Sequence, residues 1–164
     1  MKVLGVDPGG SGALALLTDS GRQVQVEDMP VFRVTRGKSA KAELDVHGLL
    51  SLLREWAPDA CYFEQVGGMQ GDSPSSAFNF GRIAGAAEAI VKASGARFVF
   101  VAPHVWKRDM GLIKAAKDDS RAKATDMWPA AASAFRRKKD DGRAEACLLA
   151  EYGRRQLLKE GIFG

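Results

Sequence analysis

The sequence predicts an α/β fold: one five-stranded mixed sheet with helices on both faces, in a single domain over residues 1–164. Three observations predict it. Short apolar segments separated only by tight Gly-rich turns open the chain. From residue 44 onward, helical periodicities alternate with short apolar strands. The 46% hydrophobic content over 164 residues is enough for one compact core.

Residues 2–7, 12–18 and 22–29 read as successive strands joined at Asp7-Pro8-Gly9-Gly10 and Asp19-Ser20-Gly21, an antiparallel meander. The polar stretch 33–41 reads as a mobile loop. Residues 44–56 place Val46, Leu49, Leu50 and Leu53 at helical spacing, with Asp45 as the cap. A fourth strand, 60–63, runs into the carboxylate of Glu64. After the Gly-rich stretch 65–75, Ser75-Ser76 opens a long helix to residue 93, whose Gly81, Ala84, Gly85, Ala86, Ala87 and Ala89 permit close packing. Residues 97–101 form the fifth strand, closed by Pro103. Short helices follow at 105–110 and 118–128, and a last helix at 141–158 carries Ala144, Leu148, Leu149, Tyr152 and Leu157. A meander followed by helix, strand, helix, strand and final helix is the order of the ribonuclease H-like fold.

Composition narrows the function. No apolar run approaches the roughly 18–20 residues of a membrane span, and Asp7 interrupts the run after Lys2 too early for a signal peptide. Cys61 and Cys147 lie in apolar elements without ligand spacing and read as reduced core residues of a cytoplasmic protein. The net charge of +4 is unevenly spread: residues 97–164 hold 15 Lys/Arg against 9 Asp/Glu, residues 1–96 hold 9 against 11. Basic surface beside carboxylates suits a polyanionic substrate handled through metal ions.

The carboxylates carry the chemistry. Asp7 and Glu64 end strands that a meander plus one crossover places side by side, while Asp141 and Glu145 share a face of the last helix. Four clustered carboxylates repel one another unless cations neutralise them. Their oxygens suit Mg²⁺, with Mn²⁺ as a substitute, and two such ions support phosphodiester hydrolysis. Each residue also has a plainer reading: Asp7 as a turn residue before Pro8, Glu64 as a solvated strand end, Asp140 or Asp141 as a helix cap with Glu145 on a wet face.

Taken in order, Gly5-Val6-Asp7-Pro8-Gly9, Phe63-Glu64-Gln65, Ser75-Ser76-Ala77-Phe78-Asn79-Phe80-Gly81-Arg82, Pro103-His104-Val105-Trp106-Lys107, Lys117 to Arg121 and Lys139-Asp140-Asp141-Gly142-Arg143-Ala144-Glu145-Ala146 resemble the RuvC-type Holliday junction resolvases, particularly their small phage-encoded branch. The resemblance implies a ribonuclease H-like homodimer in a bacterial or phage-infected cell, acting on four-way or otherwise branched DNA. It implies that Asp7 bridges two Mg²⁺ ions, that Glu64 holds one, and that Asp141 with Glu145 completes the set. Cellular RuvC proteins place two Asp residues three apart on the last helix, whereas the pair here is four apart, and Asp140 shares the claim with Asp141.

Lys107, Lys114, Lys117, Arg121 and Lys123 form a basic stretch that either contacts phosphates or is an ordinary solvated face. Lys107 and Lys117 fall in family-like segments, and Lys138 and Lys139 add phosphate contacts near the metals. On the Gly-rich loop after Glu64, Met69 or Gln70 is either a wedge into the junction centre or plain loop surface. Phe78 and Phe80, two apart in a helix, cannot both face the same way, and His104 reads as structural. The small residues Gly81, Gly85 and Ala89 mark either a subunit contact or helix-on-sheet packing. Rival readings are a ribonuclease H acting on RNA–DNA hybrids and a non-catalytic junction binder. An actin-like ATPase, whose phosphate loop Gly5-Val6-Asp7-Pro8-Gly9-Gly10-Ser11-Gly12 also resembles, needs a second domain that 164 residues do not hold.

Overall fold

Strand β1 (Lys2–Asp7) is apolar on both sides, and Val3, Leu4 and Val6 are fully buried, the pattern of a central strand covered on two faces. The computed structural model describes residues 1–18, 20–36, 39–67 and 71–162, with side chains except at 36, 39 and 117. With β2 (Ala13–Thr18), β3 (Val24–Asp28), β6 (Ala60–Glu64) and β7 (Arg97–Val101), β1 forms a sheet of order β3-β2-β1-β6-β7. β1 runs antiparallel to β2, pairing Asp7 with Ala13, and parallel to β6, pairing Val6 with Phe63. That register sets Asp7 and Glu64 side by side at one rim.

The period-2 alternation of strands decides which layer each side chain enters. Leu4, Val6, Leu14, Leu16, Cys61 and Phe63 pack beneath α1 (Val46–Trp56) and α2 (Pro74–Ala93), meeting Leu49, Leu53, Ile83, Ala87 and Val91. Val3, Ala13, Ala15, Leu17 and Tyr62 enter the opposite layer. There α5 (Asp141–Lys159) supplies Leu148 and Leu149, α3 (Pro103–Asp109) supplies Trp106, and α4 (Lys117–Met127) supplies Ala124. The seam between β1 and α5 is close: a Cβ on Gly5 would lie 2.2 Å from the Ala146 carbonyl oxygen. Glycine is what lets the helix backbone rest on the strand.

The five-stranded mixed sheet and its helices on both faces match the expected class. Residues 33–36 and 39–41 do not form the expected loop. They belong to a hairpin of β4 (Val31–Arg36) and β5 (Ser39–Leu44), paired from Val31↔Leu44 to Arg36↔Ser39. Val31, Ala42 and Leu44 anchor it on the core, and polar residues interspersed with them masked the strand pattern. Two further boundaries move. Ser73, not Ser75, caps α2 by accepting from the Ser76 amide at 3.2 Å, with Pro74 at the first helical position. Short 3₁₀ turns, Pro129–Phe135 and Lys138–Asp140, precede α5. Asp45 caps α1 as expected, accepting from the Gly48 amide at 2.9 Å. Cys61 and Cys147 are free and buried, and burial pushes both thiols far above their ordinary range. Among the described residues, no helix is long and apolar enough to cross a membrane.

Candidate metal centre

Alternation explains the site. Val3, Gly5 and Asp7 alternate with Leu4 and Val6, so Asp7 faces α5; Ala60, Tyr62 and Glu64 alternate likewise in β6. Glu145, one turn into α5, comes down on the same rim. Asp7, Glu64 and Glu145 each offer a carboxylate oxygen within 4.8 Å of the others. The Trp106 indole Nε1–H donates to Glu64 Oε1 at 2.9 Å, and Lys107 Nζ lies 3.0 Å from Glu145 Oε1.

Electrostatics follow from that crowding. Burial raises the Asp7 carboxyl well above the usual carboxylate range, and the neighbouring Glu64 and Glu145 raise it further against the opposing pull of Lys107. Glu64 is also raised, chiefly by burial, with the Trp106 hydrogen bond working the other way. Converging hard oxygen donors held in such excess of negative charge fit a divalent cation such as Mg²⁺ or Mn²⁺. The first turn of α5 is shaped around them. A Cβ at Gly142 would lie 2.8 Å from Asp7 Oδ2 and 2.9 Å from the Ser11 carbonyl oxygen. On the other side of the turn, Gly9 (φ 119°) lies under the Phe80 ring, 2.7 Å from where its Cβ would be.

The remaining residues singled out in the sequence lie as follows. Asp141 heads α5, but its Oδ1 accepts from Arg121 Nε at 2.9 Å, and Asp118 engages the same guanidinium. Asp140 is buried and held by Arg137, whose backbone amide and guanidinium both donate to it at 2.7–3.2 Å. Neither joins the group of three among the described residues. Lys138 and Lys139 are exposed on the turn before α5. The Lys117 side chain, and Met69 and Gln70, lie outside the described residues. Phe78 is 70% exposed while Phe80 packs on Gly9, and His104 is exposed. Sequence reasoning assigned no role to Trp106 or Gly142. The first carries the orienting hydrogen bond to Glu64, and the second leaves room for Asp7.

With this geometry in hand, the comparisons are specific. The sequence profile described as crossover junction endodeoxyribonuclease RuvC matches residues 3–127. The chain belongs to the RuvC family. It is therefore a junction-resolving nuclease of a family that depends on divalent metal. The RuvC match takes in Asp7, Glu64, Trp106 and Lys107, whereas Glu145 lies beyond it and joins them through the fold. Among solved structures, Thermus thermophilus RuvC in complex with a Holliday junction substrate superposes with TM-score 0.61 at 14% identity, covering 95% of this chain and 96% of that one. Another Thermus thermophilus RuvC structure gives 0.56 at 19% identity, covering 95% and 96%. The yeast mitochondrial Holliday junction resolvase gives 0.58 at 14% identity, covering 98% of this chain and 80% of its own. At these identities the likeness is one of fold. No curated protein sequence matches the chain.

Proposed function

We propose that the chain is a Mg²⁺-dependent, structure-selective endonuclease that resolves four-way DNA junctions, and other branched DNA, as a homodimer in the cytoplasm. The observation that carries this reading is the convergence of Asp7, Glu64 and Glu145 on one rim of a RuvC-type fold. Two Mg²⁺ ions, with Mn²⁺ as substitute, would be held by these carboxylates, with Asp141 joining when it leaves Arg121. When bound, such ions supply Lewis acidity at the scissile phosphate and lower the pKa of a water.

The chain's own residues do the rest. Trp106 fixes the rotamer of Glu64, and Gly142 leaves Asp7 its position. Lys107, beside Glu145, brings a cation to the phosphate being cut. Lys117, Arg121, Lys138 and Lys139 would contact flanking phosphates, and Met69 with Gln70 the junction centre. The products would be a 5′-phosphate and a 3′-hydroxyl. The homodimer is supported by the α2 face: Gly81, Gly85 and Ala89 are exposed, which removes helix-on-sheet packing as their explanation. Two centres related by a two-fold axis would cut a two-fold symmetric junction in pairs. The phage origin rests on the sequence resemblance.

Incubating the protein with a labelled four-way junction, a duplex and an RNA–DNA hybrid, with Mg²⁺ or with EDTA, tests the reading. Paired symmetric nicks in the junction, in Mg²⁺ alone, are expected. Cleavage confined to the hybrid would make it a ribonuclease, and binding without cleavage a junction binder.

A further inference from the structure

A groove of about 230 Å³ opens beside the carboxylates, between the turn after β1, strand β4 and the 3₁₀ turn leading into α5. Ser11 and Gly12 floor it; Arg33, Arg137 and Lys139 line it. It adjoins the metal centre directly. The Cβ position at Gly142 lies 2.8 Å from Asp7 Oδ2, 2.9 Å from the Ser11 carbonyl oxygen and 3.2 Å from Gly12 Cα, so one residue touches both carboxylate and groove floor.

The hairpin brings Arg33 there by register. Arg33 stands opposite Ala42, and cross-strand partners share a face. Ala42 packs on Gly10, where a Cβ would lie 2.9 Å from its own. Arg33 therefore lies on the hairpin face that covers the turn following Asp7.

Charge defines the ligand. The two acids of the groove are already matched: Asp140 by Arg137 at 2.7 Å, and Asp28 by Arg143 at 2.6 Å. Arg33 and Lys139 are exposed and have no ion-pair partner among the described residues. Two uncompensated cations over a groove at the edge of a divalent-cation centre fit a polyanion that must pass both.

We propose that Arg33 and Lys139 clamp a backbone phosphate of the DNA strand running into the carboxylate centre, which makes the β4–β5 hairpin a second DNA-contacting element. The proposal rests on the nuclease reading of that centre. The hairpin positions the strand and takes no part in the chemistry.

The test measures four-way junction binding by fluorescence anisotropy in EDTA across a salt series, alongside cleavage in Mg²⁺. The double variant Arg33→Ala/Lys139→Ala is compared with Arg22→Ala/Arg54→Ala, which removes equal charge at the opposite end of the sheet. The groove variant should bind about tenfold more weakly, with a log–log salt slope shallower by about 0.9, the value for one phosphate contact. The control should stay within about twofold of the parent, as expected for charges that contact no phosphate. The charge-keeping pair Arg33→Lys/Lys139→Arg should restore both affinity and slope. If the groove variant behaves like the control while the parent cuts junctions, the clamp is wrong and the nuclease reading stands. If the parent neither binds nor cuts junctions, the nuclease reading fails and the clamp with it.

Discussion

Asp7 is held where a carboxylate is least comfortable without a cation. Its raised carboxyl makes the folded state bind a proton more tightly than the unfolded chain does. The stability this gives is complete below the ordinary Asp value of 3.8 and is lost as pH climbs through the raised folded value. In EDTA, the melting temperature should therefore fall with rising pH more steeply for the parent than for Asp7→Asn, and Mg²⁺ should recover the parent at neutral pH. Parallel melting curves would sink this account. Asp7→Asn should also abolish cutting while leaving junction binding largely intact. Trp106→Phe keeps most of the buried volume but deletes the hydrogen bond to Glu64. Metal titration should show affinity weakened about 10–100-fold, the usual effect of losing a group that orients a ligand. Asp7, Glu64 and Glu145 were legible because strand alternation and helical spacing fix the face each occupies. Asp141 shows the limit: spacing says that it shares a face with Glu145, but Arg121, 20 residues earlier, decides where its carboxylate goes. The Trp106–Glu64 bond spans 42 residues, beyond any local pattern.

At the scale of elements, two glycines separate fold from site. Gly5→Ala would press a methyl against the Ala146 carbonyl oxygen at 2.2 Å and the Ala150 amide nitrogen at 2.5 Å. Urea unfolding should register a loss of about 3 kcal/mol, since the clash is with backbone that cannot rotate away. Gly142→Ala meets the Asp7 carboxylate at 2.8 Å and the Ser11 carbonyl oxygen at 2.9 Å, a looser fit than at Gly5, and about 1 kcal/mol of helix propensity offsets part of the strain. It should lose less stability than Gly5→Ala yet cut at a small fraction of the parent rate. The strands of the meander and the long helices could be read from the sequence because apolar periodicity runs through them. The hairpin could not. Its core-facing positions, Val31, Ala42 and Leu44, are only partly buried, and too few and too widely spaced among Arg33, Thr35 and Lys41 to reveal a strand.

At the scale of the whole molecule, charge and assembly set the behaviour. Basic residues outnumber acidic ones 15 to 9 beyond residue 96, so junction affinity should fall steeply as salt rises. Sedimentation should find a dimer for the parent, and Gly85→Arg, placed on the exposed face of α2, should find a monomer that makes single rather than paired nicks. A parent monomer at micromolar concentration would remove the dimer. The seam at Gly5 reaches further than stability. Because main chain meets main chain there, the gap between the acids at the ends of strand and helix does not depend on which leucines or valines fill either layer. Lineages can exchange most of their interior hydrophobic residues and keep the same ion spacing, so divergence should spare this seam long after overall identity has faded.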